Sequence, residues 1–179
     1  NSTATTLFDA TFYVLTSDRN VYKCLDNDGN TASTVEPTGT STSVITTGDG
    51  YKWKYMYTLS AAQQSNFLST DFMAVATNST VSSAATDGGI DIVKIKTAGS
   101  SYTVSGGGTS GTITGVPIRG DGSSAVCSVT LTSGAITAVT ITANGSGYTS
   151  GYIRNADIIG ATGAGGAGSG AELDVIIPP

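Results

Sequence analysis

Hydrophobic and polar residues alternate strictly from Tyr51 to Leu59. Tyr51, Trp53, Tyr55, Tyr57 and Leu59 fall on one side of the alternation, and Lys52, Lys54, Met56 and Thr58 on the other. A period of two sends successive side chains to opposite faces, so the segment predicts a strand half-buried on its aromatic face. Upstream, the apolar runs Thr11–Leu15 and Val21–Leu25 flank the polar turn Ser17-Asp18-Arg19-Asn20, the pattern of a β-hairpin. Asp26-Asn27-Asp28-Gly29-Asn30 marks the next turn. A Ser/Thr-rich loop with Pro37 and Gly39 then leads through Val44-Ile45 to the turn Gly48-Asp49-Gly50. Downstream, Ser60-Ala61-Ala62-Gln63 has the form of a capping box, with Ser60 as N-cap and Gln63 at the third helical position. It predicts one short helix near 60–68, after which Asp71–Val75 returns to an extended run.

From about Asn78 to Gly89 the chain turns small and polar, which reads as a domain boundary. Beyond it lies an internal repeat. IVKIKTAGSSYT at 92–103 matches AVTITANGSGYT at 138–149, with Val93 on Val139, Gly99 on Gly145 and Tyr102 on Tyr148, an offset of 46 residues. The same offset carries Gly122-Ser123-Ser124-Ala125 onto Gly168-Ser169-Gly170-Ala171 and Val129 onto Val175, without a gap. Each unit reads as a strand, a Gly-Ser-x-Tyr-Thr turn, a variable loop, a short strand, a glycine-rich turn and a final strand. The glycines supply positive-φ turns, and each turn tyrosine is an apolar lid with a polar tip. The expected organisation is a β-rich domain over 1–80, a connector over 81–89, and a duplicated module over 90–179 with units 90–131 and 136–177. Two such units are expected to pack on each other with pseudo-symmetry. The run Gly160–Gly168 is expected as a flexible connector within the second unit.

The fold class that follows is all-β with one short helix: an antiparallel β domain followed by a pseudo-symmetric β module of two 46-residue repeats. Composition agrees, being rich in Gly, Ser and Thr. A net charge of −5 with only 8 Lys and Arg lacks the footprint of a nucleic-acid binder. No apolar run approaches a membrane span. The chain opens on Asn1 rather than Met and reads as a piece of a longer chain.

Candidate chemistry is thin. The chain has no histidine, which removes Ser-His-Asp and Cys-His triads and imidazole metal sites. The carboxylates Asp18, Asp26, Asp28, Asp49, Asp87 and Asp121 sit at turns and read first as turn formers; a hydrolase built on Asp pairs is a distant third reading. Asp26, Asp28 and Asn30 hold the first, third and fifth positions of a calcium-loop pattern, but glycine falls at the fourth position and Pro37 at the twelfth, so a plain turn is expected. The glycine-rich run ending at Ala171 lacks the Gly-Lys-Ser/Thr of a phosphate loop. Asn1-Ser2-Thr3 and Asn78-Ser79-Thr80 match the glycosylation sequon by chance. Cys24 and Cys127 sit in strand-like runs and read as reduced, buried thiols. No catalytic residue, metal or cofactor is expected.

The aromatic stripe of Tyr51, Trp53, Tyr55 and Tyr57 carries three readings: the core face of a strand, a subunit interface, or a stacking platform for sugars or bases. As core it would bury several hundred Å², at about 25 cal/mol per Å². Tyr and Trp are also enriched at protein interfaces. Lys52 and Lys54 lie on the opposite face and so do not assist a base stacked on the rings. The turn tyrosines Tyr102 and Tyr148 could share an edge and hold a glycan.

VYKCLDNDGN at 21–30, EPTGTST at 36–42 and DGYKWKYMYTLS at 49–60 together resemble the baseplate wedge protein of T4-type contractile-tailed phages, the gene product 8 family. The likeness is to versions from phages of marine bacteria, which carry Gly-Ser-Gly-Tyr-Thr repeats like those at 99–103 and 145–149. It extends as far as about Val75, and its motif includes Tyr51, Trp53 and Tyr55. The resemblance implies a mostly β, non-enzymatic structural protein of the virion, located in the tail baseplate and assembled in the host cytoplasm. Its implied partners are other wedge proteins and a second copy of itself. Nucleic acid and membrane are not among them, and a central piece of the family's chain is implied. The alternative is a carbohydrate- or receptor-binding module of a phage tail fibre, with a glycan as ligand.

Overall fold

The computed structural model describes residues 13–70 and 72–177. Thr11 and Phe12 of the first apolar run, Asp71, the sequon at Asn1–Thr3 and the closing Pro178-Pro179 lie outside the described residues. The chain divides into two compact units, Asn1–Ala85 and Thr86–Pro179. Antiparallel sheets dominate both, as the alternating pattern predicts.

The first unit holds one four-stranded sheet in the order β1-β2-β4-β3. Its strands are β1 (Tyr13–Leu15), β2 (Asn20–Asp26), β3 (Ile45–Thr46) and β4 (Lys52–Thr58). β1 and β2 form the expected hairpin, with Val14 opposite Tyr22 and the Thr16 N–H bonded to the Asn20 carbonyl at 2.9 Å across the turn. β4 takes the central place because both its edges find partners, β2 on one side and β3 on the other. Asp28–Asn30 is a single 3-10 turn rather than a cation loop, closed by Asn27 Nδ2 to Asn30 Oδ1 at 2.7 Å.

α1 (Ala61–Phe67) starts at Ser60, and both arms of the capping box are made: Ser60 Oγ accepts from the Gln63 N–H at 3.2 Å, and Gln63 Oε1 accepts from the Ser60 N–H at 2.9 Å. Two further short helices were not expected. α2 (Ser79–Ala84) lies within the stretch read as a small, polar boundary. Its sequence STVSSA has weak helix propensity, but the Asn78 side chain caps it by accepting from the Val81 N–H at 3.1 Å. α3 (Asn155–Ile159) belongs to the second unit.

The second unit contains β5 (Ile92–Ser100), β6 (Gly111–Pro117), β7 (Arg119–Gly120), β8 (Ser123–Thr132), β9 (Ala135–Ser146), β10 (Gly151–Tyr152) and β11 (Ser169–Ile176). β9 pairs with β8 across a two-residue turn, Ser133-Gly134, with φ of 52° and 78°. Two positive φ values at a hairpin tip match the twist of the flanking strands. β5 pairs with β11, at the other end of the unit. The two ladders are equivalent residue by residue under the 46-residue shift. Val93 faces Val175 as Val139 faces Val129, Ile95 faces Leu173 as Ile141 faces Cys127, and Ser100 faces Ser169 as Ser146 faces Ser123. Even the bulges correspond, at Glu172/Leu173 and at Val126/Cys127. The repeats therefore close on one another: the first strand of each pairs with the last strand of the other.

The equivalence fails in the middle of the units. The first builds β6, which pairs with β8; the second builds α3 instead. The glycine-rich run after α3 is not a free connector. Thr162 accepts from the Thr114 N–H, Gly163 accepts from the Ser105 N–H, and the Gly165 N–H donates to Thr103. One core serves both repeats, with Ile90 and Ile136, Tyr102 and Tyr148, and Val116, Cys127, Val129 and Leu131 among its buried members.

Candidate interaction surface

The stripe side chains lie within the chain. Tyr51, Trp53, Tyr55, Tyr57 and Leu59 are all buried, with Trp53 only 3% exposed. Tyr51 stacks on Trp53 at 5.4 Å between ring centroids, and Tyr22 meets Tyr55 edge-on at 5.8 Å. Each polar tip has a partner. Tyr51 Oη donates to the Thr31 carbonyl, and Trp53 Nε1 to Thr47 Oγ1 at 3.3 Å. Tyr55 Oη donates to Thr58 Oγ1 at 2.7 Å, the Thr58 hydroxyl in turn donating to Asn20 Oδ1 at 2.6 Å, and Tyr57 Oη donates to the Ala74 carbonyl at 3.1 Å. The stripe thus pins the long loop before β4 and the segment after α1 onto one sheet. Burial raises the Tyr51 and Tyr57 phenols above their usual range, so both remain donors at neutral pH.

Tyr102 and Tyr148 are likewise buried, at 0% and 3% exposure, so neither ring presents a face to a sugar. Each lies under a glycine of the other repeat. A Cβ at Gly168 would fall 2.2 Å from the Tyr102 ring, and one at Gly122 would fall 2.4 Å from the Tyr148 ring. Glycine is required at both positions by this close approach. The Tyr102 hydroxyl donates to Asn155 Oδ1 at 2.6 Å. The Tyr148 hydroxyl donates to the Ile118 carbonyl at 2.9 Å and accepts from the Ala125 N–H at 3.3 Å.

Three acids with lowered pKa hold loops together. Asp49 accepts from the Thr47 hydroxyl, the Ser33 hydroxyl and the Thr34 and Val35 N–H groups; these bonds, Thr47 first, hold its carboxyl well below the usual range. Asp121 does the same for Thr149 and Ser150, with the Thr149 hydroxyl the strongest influence. Asp157, almost fully buried, is gripped by two guanidinium groups. Arg154 Nε lies 2.9 Å from Oδ2 and Arg119 Nη2 lies 2.8 Å from Oδ1. Hydrogen bonds from Arg154 and then Arg119 lower its pKa strongly. Among the described residues no group of three His, Cys, Asp or Glu is placed to hold a metal ion. Burial pushes the Cys127 thiol up to about 11, which makes it an inert core residue.

A carboxylate whose folded pKa lies below its unfolded value adds stability that is complete above the unfolded value, near pH 4, and is lost as pH falls toward the folded one. The Asp157 triad is therefore expected to contribute fully at pH 7 and to fade in acid. Asp157→Asn should melt at lower temperature than the parent chain at pH 7, and the gap should close toward pH 2. A gap independent of pH in thermal scans from pH 7 to pH 2 would contradict an ionic role.

What remains open on the surface was not anticipated as a site. Among the described residues seven large apolar side chains are exposed, and four of them, Phe67, Leu68, Phe72 and Val75, fall within one short stretch. Phe67 is 62%, Phe72 74% and Val75 84% exposed. With Gln63, Asn66, Ser69, Met73 and Ala74 they line a shallow groove of about 680 Å³, whose lining among the described residues carries no charged side chain; Asp71, in the same stretch of sequence, lies outside the described residues. α1 positions Phe67 in its last turn, and the Ser69–Phe72 turn, with the Ser69 N–H bonded to the Phe72 carbonyl at 2.9 Å, sets Phe72 beside it. α1 buries none of its residues, so the apolar pair at its end has no core to enter. Clustered apolar exposure of this kind is the general signature of contact surfaces on folded proteins.

Comparison with known protein families, with curated proteins and with solved structures finds no match to the chain.

Proposed function

We propose that the chain is a non-catalytic structural component of a virion, a wedge subunit of a contractile-tail baseplate that works through subunit contacts. The observation that carries this reading is the apolar groove lined by Phe67, Leu68, Phe72 and Val75, which are exposed while the aromatic stripe is buried. A chain whose core is filled has no internal use for four exposed apolar side chains; a neighbouring subunit does. The resemblance at 21–60 supplies the identity of the neighbours: other wedge proteins and a second copy of the chain. The titratable groups agree with this role, because the acids with shifted pKa are occupied in tying loops together. Nucleic acid and membrane are not proposed as partners. The tail-fibre alternative, with a glycan on Tyr102 and Tyr148, draws no support from rings that are buried.

Phe72→Asp tests the reading. The variant is expected to keep the parent circular dichroism and melting temperature, since the side chain is largely exposed. Its affinity for wedge partners should fall by about 2 kcal/mol or more, roughly thirtyfold, as for a buried aromatic anchor. Failure of the parent chain to bind itself or any wedge protein at micromolar concentration would overturn the proposal.

A further inference from the structure

The symmetry of the second unit leaves a choice open. β5 and β9 are equivalent under the 46-residue shift, and so are β8 and β11. Each repeat could close on itself, β5 on β8 and β9 on β11, or on the other, as the structure does. Inward-facing residues do not discriminate: Val93 and Ile95 would meet Val129 and Cys127 much as they meet Val175 and Leu173. One of the two observed ladders is also tethered. β8 and β9 are joined by Ser133-Gly134, whereas β5 and β11 meet only after the chain has run from Ser100 to Ser169.

Charge appears on the untethered ladder and is absent from the tethered one. β5 shows Lys94 and Lys96 on its outer face, and β11 shows Glu172 and Asp174. Lys96 Nζ lies 3.4 Å from Glu172 Oε2, and Lys94 stands opposite Asp174 in the register. The four equivalent positions of the other ladder are Thr140, Thr142, Val126 and Ser128, and neither β8 nor β9 contains a charged residue. There Thr140 stands opposite Ser128, and the Thr142 hydroxyl donates to the Val126 carbonyl at 3.1 Å. Self-closure would set Lys94 opposite Ser128 and Lys96 beside Val126, and would set Asp174 opposite Thr140 and Glu172 beside Thr142. Two cations would gather on one sheet and two anions on the other.

We infer that Lys94, Lys96, Glu172 and Asp174 form a pairing code that directs the first strand of the module to its last strand and so specifies cross-closure of the two repeats. Opposed charges on facing strands favour their pairing, and each pair acts modestly. The code stands where loop closure gives no help.

The full chain with Ala98→Cys, Ala125→Cys and Ala171→Cys lets position 98 choose a partner. Residue 171 is opposite it in the observed register, and residue 125 takes that place in self-closure. Cys24→Ser and Cys127→Ala remove the two native thiols, both of which would be accessible in the unfolded chain. After refolding in an oxidising buffer, peptide mass spectrometry reads the ratio of the two disulfides. With the native charges the 98–171 link should dominate. Giving the charged ladder the other ladder's residues (Lys94→Thr, Lys96→Thr, Glu172→Val, Asp174→Ser) should raise the share of the 98–125 link by roughly threefold or more. Reversing all four charges should restore the native ratio. Refolding the native ladder in about 1 M salt, where screening reaches about 3 Å, should move the ratio in the same direction as neutralisation and needs no change to the ladder. An unchanged ratio in both the neutral ladder and high salt, or a reversed ladder that behaves like the neutral one, overturns the inference.

Discussion

Tyr102→Ala is expected to destabilise the chain by about 3–5 kcal/mol, the range for removing a buried aromatic ring, and Tyr148→Ala by a similar amount. Tyr102 is fully buried, and it is packed against backbone as well as side chains. Gly168 and Gly99 lie so close to its ring that neither position has room for a Cβ. A cavity bounded by backbone relaxes less readily than one bounded by flexible side chains, which favours the upper part of the range. The two tyrosines separate when only the hydroxyl is removed. Tyr102→Phe takes an acceptor from the Ala171 backbone and a donor from an exposed Asn155 side chain that keeps its bond to the Gly168 carbonyl and can turn to water, and should cost about 1 kcal/mol. Tyr148→Phe takes a donor from the Ile118 carbonyl and an acceptor from the Ala125 N–H, and should cost about 1–3 kcal/mol. Urea unfolding followed by far-ultraviolet circular dichroism gives all four values. A loss below about 1 kcal/mol for Tyr102→Ala would mean that the ring is not the keystone its burial indicates.

The strength of these effects bears on how the fold could be read from the chain. Alternation over Tyr51–Leu59 predicted β4 and its buried face because a half-buried strand has no other way to sort its side chains. The capping box at Ser60 predicted α1 because both reciprocal bonds are local. The repeat was legible because equal spacing of Val, Gly and Tyr survives in sequence. What the repeat could not reveal is which strand pairs with which. An offset states that positions are equivalent, and equivalent strands offer the same apolar faces to either partner. Cross-closure depends instead on the short turn at Ser133-Gly134 and on the charges of β5 and β11, features outside the shared pattern. The break in symmetry at α3 was equally hidden. Arg154-Asn155-Ala156-Asp157 carries no strong helix signal, and the turn is held by a carboxylate whose two arginine partners come from separate segments. The same separation explains the missed surface: Phe67 and Phe72 belong to a helix end and an extended run, which only the folded chain brings to one groove.

Trp53→Ala is expected to destabilise the first unit by about 3–5 kcal/mol, and the way it fails separates core from contact. The indole is 3% exposed, stacked on Tyr51 and bonded through Nε1 to Thr47. Its strand is flanked by β2 on one side and β3 on the other, with Cys24 and Ile45 opposite Trp53 itself. Removing the ring leaves a void that touches both neighbours, takes the stacking partner from Tyr51, and frees the loop that Tyr51 fastens at Thr31. The loss should therefore be felt as stability, and subunit binding should weaken only in proportion to the folded fraction. Phe72→Asp should give the opposite pattern, with stability kept and binding lost. As the only tryptophan is the one removed, unfolding must be followed by circular dichroism rather than fluorescence, with binding measured at a temperature where the variant is folded. A Trp53→Ala chain that keeps its stability within about 1 kcal/mol but no longer assembles would move the stripe from core to interface. It would also shift the contact surface from the groove at Phe67–Val75 to the sheet.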